Sequence, residues 1–369
     1  MLTIGFDAKR YFLNRSGLGN YSRDLVRMLA SNFPDQKYIL YSPKLSEFSS
    51  VVPKGVEVRV PSSKMDRLIP NLWRSKTIAN DLRKDDVNIF HGLAGELPQG
   101  LVKKNIKSIV TIHDLIYLRY PELYKPIDRF IYNQKSKYAV ENADCIIAIS
   151  EQTKKDIIRY YQVPEDRIQV IYQGCHPAFK QSFTSAEVKE FKKKLNLPEQ
   201  YLLNVGTIEP RKNAFQIIKA IKDIDIPLVI VGRPTPYVDG IKEYLLKHKM
   251  EDRVIFLSGM SMTELALIYA GASIFVYPSK FEGFGIPIIE ALFAGVPVIS
   301  NKFGVFPEAG GPASSYIDPE NIEELRDTIQ KVLGSEELRE KMITEGKAFV
   351  QRFDDEVIAE QLMECYSAL

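Results

Sequence analysis

Residues 273–300 read SIFVYPSKFEGFGIPIIEALFAGVPVIS, and the fold follows from how this stretch is punctuated. SIFVY (273–277) is apolar throughout rather than alternating, as expected of a strand covered on both faces. A loop carrying Gly283 and Gly285 follows, and Pro287 sits where a first helical turn tolerates it. Gly295 and Pro297 supply a stop, so the spacing predicts a helix from Ile286 to Ala294. VPVIS (296–300) is then a second buried strand, and strand, helix, strand at this spacing is a parallel βαβ unit. The amino end of such a helix offers unpaired N–H groups beside the carboxyl end of a strand, with glycines that let an anion approach.

The same rhythm extends in both directions. Earlier runs are LTIGF (2–6), KYILY (37–41), VNIF (87–90), SIVTI (108–112), CIIAI (145–149) and IQVIY (168–172). Later ones are YLLNV (201–205), PLVIV (227–231) and RVIFL (253–257). The expected class is α/β, with two Rossmann-like domains built on parallel sheets. The rhythm pauses between Gln173 and Gln200, which places domain limits at 1–175 and 176–352. Beyond Pro319 the pattern is helical, and residues 353–369 are expected to pack back on the first domain.

A chain of 369 residues has material for a core in each domain. Its 49 Lys+Arg against 47 Asp+Glu leave +2, and 45% of residues are hydrophobic, which argues against disorder and against a dedicated nucleic-acid binder. The charge is uneven: residues 1–180 hold 28 basic and 19 acidic residues (+9), leaving 21 and 28 (−7) for 181–369. The basic half suits an anionic partner such as a phospholipid surface, and mutual attraction of two domains would give the same asymmetry. Cys145, Cys175 and Cys365 lack metal-ligand spacing and do not suggest a disulfide framework. MLTIGFDAKR reads as a strand rather than a secretion signal, and no run approaches a membrane span, so a cytoplasmic location is expected.

Four segments carry candidate chemistry. Glu282 and Glu290 bracket the glycine loop as E-x7-E; each carboxylate suits a vicinal diol, and each also has a plain reading as a solvated or dipole-compensating acid. In GTIEPRKN, Arg211 and Lys212 stand between a strand and a helix start, where cations oppose the macrodipole unless an anion binds. In SIVTIHDL, His113 closes a buried strand, and His91 in VNIFHG shares that position; both have a structural alternative. In RSGLGNYS, Gly17 and Gly19 precede a helix and let backbone N–H groups approach a ligand, or simply make a turn. GLGNYS lacks the third glycine and the ribose acid of a dinucleotide fold, which argues against a dehydrogenase. Asp223-Ile224-Asp225 lies in a turn before Pro227 and reads as turn chemistry rather than a metal site. Tyr117–Tyr138 mixes five cations with six aromatics and reads as a solvated amphipathic helix, with lipid contact as the alternative.

GLG near the start, HDL after a mid-domain strand, EPRKN and E-x7-E in this order resemble the retaining glycosyltransferases of family 4, over essentially the whole chain. The resemblance implies the GT-B fold, two Rossmann-like domains facing a central cleft, with the carboxyl-terminal domain binding a nucleotide diphosphate sugar and the amino-terminal one the acceptor. It implies Glu290 on the ribose, Arg211 and Lys212 on the diphosphate, and Glu282 on the sugar hydroxyls. Gly283, Phe284 and Gly285 would line the phosphate cradle, the N–H groups of the last two completing it. It further implies His113 on the donor sugar and Gly17 with Gly19 near the diphosphate or acceptor.

No tightly bound cofactor and no metal are expected. The phrasing VTIHDLIYLRYPE resembles bacterial mannosyltransferases of polysaccharide assembly, so GDP-mannose is the first donor expected and a UDP-sugar the second. The acceptor expected is a glycan or a lipid-linked glycan, with peripheral inner-membrane association through the basic domain. A nucleotide-sugar hydrolase or epimerase on the same fold, or a non-catalytic nucleotide-binding subunit, are the alternatives.

Overall fold

The computed structural model describes residues 1–369, which form two compact units: Met1–Gly174 together with Asp354–Leu369, and Cys175–Phe353. The first is built on β1 (Thr3–Asp7), β2 (Lys37–Tyr41), β3 (Glu57–Arg59), β4 (Ile89–Gly92), β5 (Lys107–Ile112), β6 (Cys145–Ala148) and β7 (Ile168–Val170). The second is built on β8 (Leu202–Val205), β9 (Leu228–Val231), β10 (Val254–Leu257), β11 (Ile274–Tyr277), β12 (Val298–Asn301) and β13 (Ser315–Ile317). The sheet orders are β3-β2-β1-β4-β5-β6-β7 and β10-β9-β8-β11-β12-β13, with parallel pairing throughout. Each order reverses once, between β1 and β4 and between β8 and β11. At such a switch point the crossovers on either side run to opposite faces, leaving a crevice outside the strand ends where ligands bind.

The long apolar runs become the central strands because both their faces are covered: every residue of β4, β6, β8, β9 and β11 is buried. The sequence reading misses β3 and β13. Both are edge strands of three residues, EVR and SYI, mostly half-buried, so neither shows a continuous apolar run.

Two local differences from the sequence reading bear on the sites. Gly17 and Gly19 lie within the first turn of the helix Gly17–Asn32 rather than ahead of it. A Cβ on Gly19 would stand 1.8 Å from the Asn14 carbonyl oxygen, while one on Gly17 would meet nothing within 4 Å. Gly19 therefore lets the preceding loop fold onto the helix, and its N–H is occupied by the Asn14 side chain (3.2 Å) and the Ser16 carbonyl (2.9 Å). The helix after β11 runs Ile286–Phe293, one residue shorter than its spacing predicts.

The carboxyl-terminal helix Asp355–Ser367 completes the core of the first unit. Ile358, Leu362, Met363 and Tyr366 are buried in the same cluster as Leu25, Val26 and Leu29, and Arg27 Nη1 donates to Asp355 Oδ2 at 2.7 Å.

Candidate active site at the carboxyl ends of β8 and β11

Three candidate charged residues of the second unit, Arg211, Lys212 and Glu282, meet at its switch point. After β8 the chain makes a single turn, Pro210–Lys212, which carries Arg211 and Lys212; after β11 it runs through Ser279 to Glu282. The two loops are tied by backbone, since Lys280 N donates to the Arg211 carbonyl at 2.9 Å and Arg211 Nη1 to the Phe281 carbonyl at 2.6 Å.

Four donors then converge on one oxygen, Oε1 of Glu282: Lys212 Nζ at 2.6 Å, Ser279 Oγ at 2.6 Å, Arg211 Nη1 at 2.9 Å and the Tyr277 hydroxyl at 3.0 Å. Burial acts to raise the Glu282 pKa, but the charges of Lys212 and Arg211 prevail and hold it at about 2. Arg211 is held further into its charged form by Glu282, against the burial that opposes it. Lys212 Nζ also donates to the Tyr277 hydroxyl at 2.6 Å, and Arg211 Nη2 to Glu209 Oε1 at 2.8 Å.

Capacity remains in this network. Glu282 Oε2 accepts none of these bonds, an ammonium has three N–H donors of which Lys212 uses two, and a guanidinium has five of which Arg211 uses three. Three residues beyond Glu282, the helix Ile286–Phe293 starts from Gly285 with no side-chain cap. Gly285 has φ +117°, a conformation that L side chains rarely adopt, so glycine is required there. The first N–H groups of an uncapped helix attract negative charge. Phe284, between the two glycines, is buried with its ring centroid 5.2 Å from that of Phe353. Gly283 lies half-buried in the same loop. Glu290, one turn into the helix, receives the Tyr269 hydroxyl on Oε2 at 3.0 Å.

In the first unit, His113 follows β5. Its Nε2 donates to the Leu93 carbonyl at 2.8 Å, which leaves Nδ1 to accept from the Gln173 amide at 3.0 Å. Burial lowers its pKa to about 4, so the ring is neutral at physiological pH. His91, at the end of β4, is fully enclosed, with Nδ1 bonded to the Tyr366 hydroxyl and Nε2 to Thr111 Oγ1, both at 2.8 Å. Thr111 in turn meets the Tyr21 hydroxyl at 3.1 Å. Burial takes the His91 pKa to about 3, and the ring serves as a cross-brace between the sheet and the carboxyl-terminal helix.

The structure thus brings Arg211, Lys212 and Glu282 into direct contact, with Gly283 to Gly285 in the adjoining loop and Glu290 on the helix that follows. Gly17, Gly19 and His113 belong to the other unit. Sequence reasoning passes over Tyr277 and Ser279, which bond Glu282, Tyr269, which bonds Glu290, and Gln173, which bonds the neutral His113 ring. The available signal is chemical: a tyrosine ending an otherwise apolar buried strand must find a partner for its hydroxyl.

Residues 15–179 match the family described as Glycosyltransferase Family 4, and residues 185–349 the one described as Glycosyl transferases group 1. The O-antigen chain mannosyltransferase B of Escherichia coli is 30% identical, the match covering 96% of each chain. The O-antigen chain mannosyltransferase RfbU of Salmonella typhimurium is 31% identical over 60% of this chain and 62% of its own. Among solved structures, Anabaena Alr3699/HepE in complex with UDP and glucose superposes over 100% of both chains with a TM-score of 0.79 at 17% identity. Sucrose-phosphate synthase of Thermosynechococcus elongatus gives 0.78 at 23% identity, over 100% of this chain and 99% of its own. Both solved structures share the fold, which is of the GT-B class. With matched domains in both units and a relative at this identity along nearly its whole length, the chain belongs to the glycosyltransferases, with a family 4 amino-terminal domain and a group 1 carboxyl-terminal domain.

Proposed function

We propose that this glycosyltransferase moves a hexose, mannose first among the candidates, from a nucleoside diphosphate sugar to a glycan or lipid-linked acceptor in bacterial surface polysaccharide synthesis, with retention of the anomeric configuration. The observation that carries the reading is the convergence of Arg211, Lys212 and Glu282 at a switch point, three residues ahead of an uncapped helix. The names of the Escherichia coli and Salmonella relatives support mannose and O-antigen as the setting, and GDP-mannose as the donor to try first, ahead of a UDP-sugar.

In this reading the unspent N–H groups of Lys212 and Arg211, with the first N–H groups of the helix at Gly285, hold the diphosphate. Glu282 Oε2 accepts from sugar hydroxyls, and Glu290 accepts from the ribose. His113 meets a donor-sugar hydroxyl by exchanging one of its two present partners. The bond from the anomeric carbon to the leaving phosphate breaks with its electron pair passing to the diphosphate. The acceptor oxygen bonds to the same face, and its proton goes to the leaving phosphate oxygen. Fixed cations and backbone dipoles then stabilise the charge that develops on the diphosphate, a task for which other enzymes use a divalent ion.

Thermal stabilisation by GDP, UDP and ADP tests the donor. GDP is expected to stabilise the wild type, with the effect lost in Lys212→Ala; equal stabilisation of wild type and variant would overturn the placement. Turnover that survives EDTA, and a product of unchanged anomeric configuration by NMR, are expected.

Peripheral membrane contact belongs to the same reading. No helix is long and apolar enough to cross a membrane. The helix Pro126–Asn142, however, buries only Ala139 and Val140, and its first half turns Ile127, Phe130 and Ile131 to solvent, at 68%, 63% and 42% exposure, close to Lys125 and Arg129. This differs from the solvated amphipathic helix that its composition suggests, because the apolar residues face outward. Exposed apolar side chains among cations suit an anionic bilayer surface. Flotation with phosphatidylglycerol vesicles should recover the wild type and not Ile127→Glu/Phe130→Glu.

A further inference from the structure

The His113 ring is gripped from three sides within the first unit. The Tyr21 ring meets it edge-on, with centroids 4.5 Å apart and an interplanar angle of 89°. Its nitrogens face the Leu93 carbonyl and the Gln173 amide, at 2.8 and 3.0 Å. A carbonyl only accepts, so Nε2 carries the proton and Nδ1 presents a lone pair to Gln173. Gln173 lies three residues beyond β7 and is 4% exposed, so its amide meets the ring inside the fold rather than at its surface.

The two bonds differ in how they can be exchanged. Leu93 is wholly buried and offers a main-chain carbonyl, while the carbonyl of His113 is itself pinned by the Thr153 hydroxyl at 3.2 Å. Neither end of that bond can withdraw without moving backbone. Gln173 carries its amide on rotatable bonds and can turn it aside while the main chain stays in place. A hydroxyl arriving there would donate to Nδ1 as the amide does, and the tautomer would be kept. Of the charged and titratable groups nearest the ring, Arg10 opposes a second proton, and His91 is neutral with both nitrogens bonded. The Tyr21 hydroxyl is turned to Thr111, and Asp114 receives the N–H of Ile116.

We infer that Gln173 is a positioning residue for the transfer: its amide keeps Nδ1 of His113 an acceptor in the unliganded chain, and it is the partner that gives way to a hydroxyl of the donor sugar. This rests on the reading of His113 as a contact of the donor sugar and adds to it which atom makes that contact.

The test begins with the full-length wild type, labelled with nitrogen-15 in its four histidines. NMR should show His113 protonated on Nε2 and bare on Nδ1 from pH 5 to pH 8. Saturating GDP-mannose, and not GDP, should shift the Nδ1 resonance and leave that of Nε2 in place. Movement of Nε2 instead would make Leu93 the exchanged partner and overturn the inference. Gln173→Glu replaces a donor by a group that only accepts, so the ring must offer a second N–H; imidazole, the stronger base, takes the proton. The His113 ring of this variant should titrate about two pH units above the wild-type ring. The ratio of GDP-mannose to GDP affinity, read by calorimetry against wild type at the same pH, should then fall about tenfold at pH 5 and recover at pH 8. Gln173→Met, which brings no charge, should show no such pH dependence. His113→Ala should lower the ratio about tenfold at both pH values. If it does so and Gln173→Glu shows no pH dependence, Gln173 has no positioning role. If His113→Ala leaves the ratio unchanged, the donor-sugar reading of His113 falls, and the inference with it.

Discussion

The two units are built on the same parallel, doubly wound plan, yet the polar networks at their strand ends are of opposite kinds. In the first unit the network through Tyr21, Thr111, His91 and Tyr366 is closed: both imidazole nitrogens have partners, the ring is neutral, and no solvent reaches it. In the second unit the network around Glu282 is open, because four donors crowd one carboxylate oxygen and leave the other unused. A closed network stabilises the fold and has nothing to offer a ligand. An open one leaves charged groups in place with bonding capacity unspent, which is the preorganisation that a developing charge requires. Position at a strand end therefore does not distinguish a functional residue from a structural one; the state of its partners does.

Lys212→Ala should separate the two networks most widely. It removes a cation 2.6 Å from Glu282 and one of the N–H groups assigned to the diphosphate. A loss of about 10²–10³ in kcat/KM is expected, comparable to removal of one donor from an oxyanion site. His91→Asn should leave kcat/KM of the folded fraction within about twofold, because no ligand meets the ring. Steady-state kinetics on both variants makes the comparison, and similar losses in the two would break it.

Acid should uncouple the units next. Glu282 is held at about 2 against an ordinary 4.5, so its contribution is whole above 4.5 and disappears as pH falls towards 2, a loss on the order of 3 kcal/mol. His91 and His113 are depressed from 6.5 to about 3 and about 4. The unfolded chain takes up those protons first, so the first unit begins to lose stability below pH 6.5 and continues to do so through 4 and 3. Pulse proteolysis along a pH series, with fragments assigned to each unit, should show the first unit yielding at the higher pH. Simultaneous loss would contradict the assignment of the two windows.

What the sequence disclosed, and what it withheld, follows the same division. Eleven strands and the helix after β11 were legible because buried parallel strands and glycine or proline stops leave local patterns. Arg211 and Lys212 stood out because cations at a helix start oppose its dipole unless an anion binds, and Glu282 because it borders the glycine loop in E-x7-E spacing. β3 and β13 were not legible, since an edge strand of three half-buried residues has no pattern of its own. The sequence supports His91 less than His113, but the physical reason is not local: the partner that closes the His91 network is Tyr366, 275 positions away. Tyr277 was hidden for another reason, since a tyrosine in an apolar run reads as core.

The two tyrosines sharpen the contrast at the scale of a single oxygen atom. Tyr366→Phe removes the partner of His91 Nδ1 in a fully buried place, so it should cost about 1–3 kcal/mol of stability, read as a lowered midpoint in urea with no change in KM for the donor. Tyr277→Phe removes a hydroxyl that accepts from Lys212 and donates to Glu282, both of which keep other partners. Its stability cost should therefore be smaller, about 1 kcal/mol or less. Its effect should fall on turnover instead, because Lys212 and Glu282 lose the group that holds them in register while their own charges remain. A drop in kcat of about fivefold is expected, with the urea midpoint lowered less than by Tyr366→Phe, whereas Tyr277→Leu, which alters the packing as well, should lower both further. If Tyr277→Phe shifted the midpoint as far as Tyr366→Phe and left kcat alone, the network around Glu282 would be as closed as the one around His91, and the distinction between the two units would fail.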